Sequence, residues 1–278
     1  MNRKISILGC GWLGLPLAKS LLSKGYEVKG STTSESKLDV LKNAGISPFQ
    51  IQLEEHQIIG NIEDFLKETD VLVIDIPPGL RREVATSNGM TFVNKVKTLI
   101  PFIENSGIKK VIFVSSTSVY GDSFPIVEIT EETNPNPDTE SGKQLVIAET
   151  LLQSNLNFKT TVIRFGGLLG DDRHPIKFLA GRTNIENPEA PVNMIQREDC
   201  IGIIEKTLDL AQNDNWEWNQ TFNAVAPQHP TRKAYYHKKA EIFNLPLPIF
   251  AEDSASKGKI ISSKKVETIL GYSFQKEI

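Results

Sequence analysis

The run Lys4-Ile5-Ser6-Ile7-Leu8-Gly9-Cys10-Gly11-Trp12-Leu13-Gly14 carries the strongest structural signal in the chain. A short apolar strand enters three glycines spaced G-x-G-x-x-G, and a helix leaves them. From Trp12 to Lys24, Leu13, Leu17 and Leu21 recur every four residues on one helical face, and Gly25 supplies a left-handed stop. A six-residue glycine pattern arises often by chance, but its place between strand and helix gives each glycine a task. Gly9 makes the tight turn, Gly11 lets backbone approach a pyrophosphate, and Gly14 lets the helix close on the strand. The helix N-terminus then offers free N–H groups and the positive end of its dipole to an anion. The predicted dinucleotide contacts here are Gly9, Gly11, Trp12, Leu13 and Gly14.

Outward from that turn, short β-branched runs alternate with amphipathic segments. Strands are expected at 26–30, 48–53, 70–76, 110–114, 159–165 and 221–225, and helices at 35–44, 91–105 and 142–153. Asp199 is expected to cap a further helix with Ile201, Ile204, Leu208 and Ala211 on one face, and 128–141, rich in acids and prolines, is expected to be a loop. The unbroken run Asp70 to Ile76, ended by Pro77-Pro78-Gly79, suits a central parallel strand covered on both faces. The fold class is therefore α/β, a doubly wound parallel (Rossmann) sheet with a smaller C-terminal substrate lobe. The dinucleotide-binding core is placed at 1–165, with 196–226 returning to it, and the lobe mainly within 166–278.

Composition excludes several classes. The chain has 278 residues, 39% of them hydrophobic and 23% charged, as in an ordinary globular protein and unlike a disordered one. Lys+Arg 31 against Asp+Glu 34 leaves a net charge of −3, so no positive field draws a nucleic-acid backbone. Two cysteines, Cys10 and Cys200, cannot build a disulfide framework or a four-ligand zinc site, and no metal site is expected. No apolar run approaches the ~18 residues of a membrane span, and the start of the chain is too short in apolar residues for a signal peptide. The expected compartment is the cytoplasm. Cys10 is expected to be a small packing residue, with a reactive thiol at the helix N-terminus as the other option. The Arg81-Arg82 pair is expected on a solvated face.

The second strand does not end in the Asp or Glu that usually takes the ribose hydroxyls of NAD. It ends in Ser31-Thr32-Thr33-Ser34, followed by Lys37. Thr32, Thr33 and Ser34 with the Lys37 cation suit a 2′-phosphate, so NADP is favoured over NAD. The same hydroxyls would equally serve as caps for the helix at Glu35. Ile76 and Pro77, beside Asp75 at the fourth strand's exit, are expected to bring backbone against the cofactor.

The run Ser115-Ser116-Thr117-Ser118-Val119-Tyr120-Gly121-Asp122, with the glycine turn, resembles the extended short-chain dehydrogenase/reductase family of NAD-dependent nucleotide-sugar epimerases and dehydratases. The likeness continues in Val162-Ile163-Arg164-Phe165-Gly166-Gly167 and in Val192-Asn193-Met194 through Asp199. The resemblance implies that Ser116, with Thr117 as its understudy, hydrogen-bonds a substrate oxygen, and that Lys143 fixes the cofactor ribose. It also implies a small-molecule substrate such as a nucleotide sugar, with a homodimer as an open assembly state. One feature departs. The family pairs its lysine with a tyrosine four residues earlier, and here that position is Thr139. An aliphatic hydroxyl is a far weaker acid than a phenol and makes a poor proton carrier. The chain thus resembles the tyrosine-lacking branch of the family.

Three explanations stand. Tyr120, Glu140 or His174 substitutes for the phenol, the reaction needs that proton less, or the site binds cofactor without turnover as a redox sensor. Arg164 and Arg173 would clamp a substrate phosphate or carboxylate, or else form buried ion pairs. Asn193 is expected on the substrate side, and His56, His229 and His237 on the surface.

Overall fold

The computed structural model describes residues 3–79, 89–210, 216–252 and 255–278. Arg81, Arg82 and Ala211 lie outside the described residues. Strands β1 (Lys4–Leu8), β2 (Glu27–Thr32), β3 (Ser47–Gln50), β4 (Val71–Ile74), β5 (Lys110–Ser116), β6 (Lys159–Phe165) and β7 (Thr221–Ala224) form one sheet. Its order is β7-β6-β5-β4-β1-β2-β3 and every pairing is parallel. The chain reverses its direction of travel across the sheet between β1 and β4, the switch point at which doubly wound folds bind ligands.

Two-residue periodicity divides the core. Ile5, Ile7, Val71, Val73 and Ile112 face one layer, packed with Leu17 and Leu21 of α1 (Gly14–Ser23). Leu8, Leu72, Ile74, Val111 and Phe113 face the other. Along the chain between α1 and β4, α2 (Leu38–Asn43) adds Leu41 to the first layer and α3 (Ile62–Leu66) adds Phe65 and Leu66 to the second. The second layer is completed by α4 (Thr91–Ser106) and α5 (Glu140–Gln153), which supply Phe92, Val96, Leu145 and Leu152. Beyond β6, α6 (Ile176–Leu179) precedes α7 (Arg197–Leu210), which joins the first layer through Ile203, Ile204 and Leu208. Burial of each such leucine or isoleucine is worth about 1.5–3 kcal/mol, and two covered faces explain why β4 carries no polar residue.

The lobe has its own core. Gly167–Leu169 pairs with Met194–Gln196, and Leu169, Ile176, Val192 and Met194 pack against Tyr235, Tyr236 and Ala240 of α8 (Arg232–Ile242). Ile261 joins the second layer of the main core, while Val266 of α9 (Lys264–Ile269) and Leu270 join the first.

Other expectations shift locally. The third strand stops at Gln50, and Gln52–Leu53 turns away to pair antiparallel with Ile58–Ile59. The loop at 128–141 holds Glu128–Ile129, which pairs with Ile260–Ile261, and the helix after it starts at Glu140. Asp199 is no cap: α7 begins at Arg197, and the buried Asp199 carboxylate accepts from the Tyr272 hydroxyl and from the Gln275 and Lys276 amides.

Candidate functional site

The glycine turn sits at the sheet's switch point. Gly9 has φ 108°, and a Cβ there would strike the Asp75 carbonyl and crowd the Ile76 side chain. A Cβ on Gly14 would strike the Gly9 carbonyl. Both glycines are therefore required by the protein's own packing. Gly11 differs, since a Cβ there would meet nothing within 4 Å. Packing of this chain does not call for its bare backbone; the approach of a ligand does, so the turn fits a dinucleotide diphosphate. The Ser31 hydroxyl holds the turn by accepting from the Gly9 N–H at 2.9 Å.

At its C-terminal end, β2 runs further than the sequence indicates and takes in Ser31 and Thr32. Thr32 Oγ1 accepts from the Ser34 N–H at 3.2 Å, and the Ser34 and Ser36 hydroxyls pair at 2.9 Å. Ser34 makes no side-chain cap bond to the turn at Glu35–Lys37. Thr33 and Lys37 are exposed.

Beyond β5, Ser116 Oγ accepts from the Ser118 N–H at 3.1 Å and closes a single helical turn over Thr117–Val119. Gly142 allows the start of α5 to lie against that turn, because a Cβ there would strike the Ser118 carbonyl. This contact sets the first turn of α5, which carries Lys143, beside the turn that follows Ser116. The Lys143 side chain is 59% exposed and its Nζ stands 3.9 Å from Glu140. Thr139 is the N-cap of α5, its Oγ1 accepting from the Gly142 N–H at 3.1 Å. Thr117 is buried, leaving Ser116 as the more accessible hydroxyl of the two.

Next to these two turns lies a buried polar network. Arg164 forms an ion pair with Glu149, through Nη2 to Oε2 at 2.6 Å and Nε to Oε1 at 3.1 Å. Ser115 Oγ donates to Glu149 Oε1 at 2.6 Å. Arg164 Nη1 also donates to the Tyr120 hydroxyl, which donates in turn toward the Thr130 carbonyl and Asn223 Oδ1. Of the two roles open to Arg164, the structure assigns the buried ion pair. Tyr120 is equally committed. It is 1% exposed, and burial pushes its phenol above the ordinary tyrosine value, so it stays protonated.

On the lobe side, the Trp12 indole projects from the glycine turn and donates to Asp172, with Nε1 3.0 Å from Oδ1 and 3.1 Å from Oδ2. The guanidinium carbons of Arg173 and Arg197 stand 5.1 and 4.8 Å from its ring centroid. These are cation–π distances, and Arg197 Nη1 also reaches Asp172 at 3.3 Å. The Trp12 hydrogen bond, then the Arg197 charge, hold the Asp172 carboxyl below its usual range. Asn193 is spent on the chain itself. Its Nδ2 donates to the Lys259 carbonyl and its Oδ1 accepts from the Ile261 N–H.

His174 is buried. Its Nδ1 accepts from the Ile176 N–H, so the proton sits on Nε2, 2.9 Å from the Tyr235 hydroxyl. Burial, helped by Lys239 and Lys177, lowers its pKa to about 4. Neither Tyr120 nor His174 is therefore free to replace the phenol; of the three named substitutes, Glu140 alone is exposed. His237 and His229 are half-buried and bonded to the Pro248 and Val192 carbonyls, rather than free on the surface. Burial pushes the Cys10 thiol up to about 12, against the reactive option. Its sulfur lies where a Gly30 Cβ would collide, at 2.6 Å.

One residue gains importance from the structure. Asp75, at the exit of β4, is half-buried under the glycine turn and accepts the Gly14 N–H. Burial raises its carboxyl to about 7, with the Gly14 hydrogen bond opposing the shift. A carboxylate at the end of the unbroken apolar run Val71–Ile74 is a signal present in the sequence.

A family model described as NAD(P)H-binding matches residues 9–200. The chain belongs to that NAD(P)H-binding family. Protein YeeZ of Escherichia coli strain K12 is 34% identical over 275 residues, covering 98% of this chain and 96% of the relative. A UDP-N-acetyl-D-mannosamine dehydrogenase of Methanococcus maripaludis strain C7 is 29% identical over 129 residues, covering 41% of this chain and 28% of the relative. Among solved structures, the UDP-glucuronic acid 4-epimerase from Bacillus cereus in complex with NAD aligns with TM-score 0.78 at 16% identity, over 99% of this chain and 94% of that one. The UDP-glucose 4-epimerase of Thermotoga maritima with UDP-glucose aligns with TM-score 0.77 at 17% identity, over the same shares. The fold of this family member is thus that of the NAD-dependent epimerases, and a nicotinamide cofactor fits its glycine turn. No described helix is long and apolar enough to cross a membrane, and no metal-binding cluster occurs among the described residues.

Proposed function

We propose that the protein is an NAD(P)-dependent oxidoreductase or epimerase acting on a nucleotide sugar. The observation that supports this reading is the close approach of Gly142, the residue before Lys143, to the Ser118 carbonyl, two residues beyond Ser116. The bound nicotinamide supplies hydride transfer to and from a carbinol carbon. Ser116 Oγ hydrogen-bonds the substrate oxygen, with Thr117 behind it, and Lys143 Nζ holds the ribose. Glu140, 3.9 Å from Lys143, takes or returns the hydroxyl proton. Arg173, stacked on Trp12 at the lobe side, provides a cation for a substrate phosphate. The nucleotide-sugar class draws support from the similarity to a UDP-N-acetyl-D-mannosamine dehydrogenase and to the fold of UDP-sugar epimerases.

We assign the cofactor as NADP in preference to NAD. Thr33, Ser34 and Lys37 at the end of β2 offer hydroxyls and a cation to a 2′-phosphate. Titration of the apo protein tests this: NADH binding about tenfold more tightly than NADPH reverses the assignment. The two buried free thiols fit a reducing, cytoplasmic setting.

Incubation with cofactor and a panel of nucleotide sugars, followed at the absorbance of the reduced nicotinamide, tests the activity. Turnover is expected, and Ser116→Ala is expected to abolish it. A second reading, a sensor that binds cofactor without turnover, is favoured by Thr139 being consumed as a helix cap. Tight binding with no absorbance change across the panel selects it.

A further inference from the structure

We propose that Asp75 is a member of the dinucleotide site and binds the cofactor as its neutral acid, so that each dinucleotide bound draws a proton from solvent. This rests on dinucleotide occupancy of the glycine turn and is independent of turnover.

The geometry is specific. The Asp75 backbone carbonyl lies where a Gly9 Cβ would sit, and its Oδ2 stands 3.1 Å from the position of a Gly14 Cβ. Its side chain accepts the N–H of Gly14, the first residue of the ten-residue helix α1. An internal carboxylate thus occupies part of the same helix terminus that a diphosphate would use. Two anions cannot share that terminus cheaply in a half-buried setting, and like charge raises the pKa of the one that can take a proton.

The groups around it offer no relief. The glycine turn presents Cys10 and α7 presents Cys200, two thiols that burial keeps protonated. The adjoining strands β1 and β5 end in Leu8 and in Ser115-Ser116, which carry no charge. Among the described residues no cation acts on the Asp75 carboxyl. Arg173 and Arg197 are engaged with Trp12, and Asp172 is already ionised. Asp75, already held near pH 7 by burial, is therefore the group whose charge yields when the diphosphate arrives.

Calorimetry on the full chain with NAD tests this. NAD is the probe because it lacks the 2′-phosphate, which itself titrates near pH 6. At pH 7.5, runs in phosphate and Tris, whose ionisation heats differ, are expected to reveal uptake of roughly half to one proton per NAD. The dissociation constant is expected to be about tenfold weaker at pH 8 than at pH 6. Asp75→Asn is expected to change less than about twofold over that range and to match or exceed the wild-type affinity at pH 8. Proton uptake by the wild type is read without any variant, so a poorly folding Asp75→Asn leaves the test intact. NAD binding with no buffer-dependent heat overturns the inference alone, as does an unchanged pH slope in folded Asp75→Asn. Absence of binding at every pH with NADP as well as with NAD overturns it together with the cofactor assignment.

Discussion

The Trp12 indole N–H rests between both carboxylate oxygens of Asp172, a residue 160 positions later in the chain. The glycine turn and the lobe segment that follows β6 are thereby joined by one aromatic ring with a guanidinium near it from Arg173 and another from Arg197. Trp12→Phe removes the hydrogen bond while leaving an aromatic ring. Trypsin is expected to cut after the exposed Arg173 several-fold faster in that variant, and dinucleotide affinity is expected to stay close to wild type. Equal cleavage rates in the two proteins would refute a tie between turn and lobe.

Gly11 and Gly14 are expected to fail in different ways. Gly11→Ala has space for its methyl group, so its thermal midpoint should stay within about 2 °C of wild type while dinucleotide affinity falls at least about tenfold. Gly14→Ala drives a methyl group into the Gly9 carbonyl and should lower the midpoint by several degrees. Thermal unfolding beside a binding titration separates them.

Thr139 carries a helix cap at the position where the sequence resemblance implies a phenol. Thr139→Ala and Thr139→Tyr are each expected to lose about 1 kcal/mol in chemical denaturation, and Thr139→Ser almost nothing. Only Thr139→Tyr is expected to increase turnover, since it returns a tunable acid four residues before Lys143.

Arg164 neutralises a carboxylate that is almost wholly buried. Arg164→Met leaves Glu149 charged and buried, at an expected cost of about 3–5 kcal/mol by urea denaturation. The double variant Arg164→Met/Glu149→Leu is expected to recover much of that loss, as a role in substrate binding would not predict.

His174 sets an acid limit. Its folded pKa, about 4, lies below the ordinary imidazole value of 6.5, so the unfolded chain binds the extra proton between those pH values. Stability from this group is whole above pH 6.5 and is lost as pH falls toward 4, by at most about 3 kcal/mol. His174→Gln should flatten that part of the stability profile, as followed by denaturation at stepped pH.

What the sequence revealed was chiefly local. The glycine turn, the leucines of α1 and the unbroken apolar run of β4 depend on neighbours within a few residues, and each was legible. The sequence does not choose between two roles for Arg164, because its partner Glu149 lies on α5 and nothing near Arg164 in the chain points to it. Asp199 looks like a cap by position, but its carboxylate is claimed by the chain at Tyr272, Gln275 and Lys276. Asn193 matched a family motif, yet its amide is satisfied by the backbone at 259–261. Long-range hydrogen bonding made each of these choices, and no periodicity or spacing encodes it. Asp75 was visible as a residue at the cofactor edge; its proton chemistry depends on how deeply the glycine turn covers it.

The Asp199 anchor also bears on synthesis. α7 closes its first turn around a carboxylate whose partners are translated more than seventy residues later, and the layer that holds α1 lacks Val266 and Leu270 until then. The nascent chain can therefore assemble its nucleotide half early, but that half stays open on one side until residues 266–276 clear the ribosomal exit tunnel.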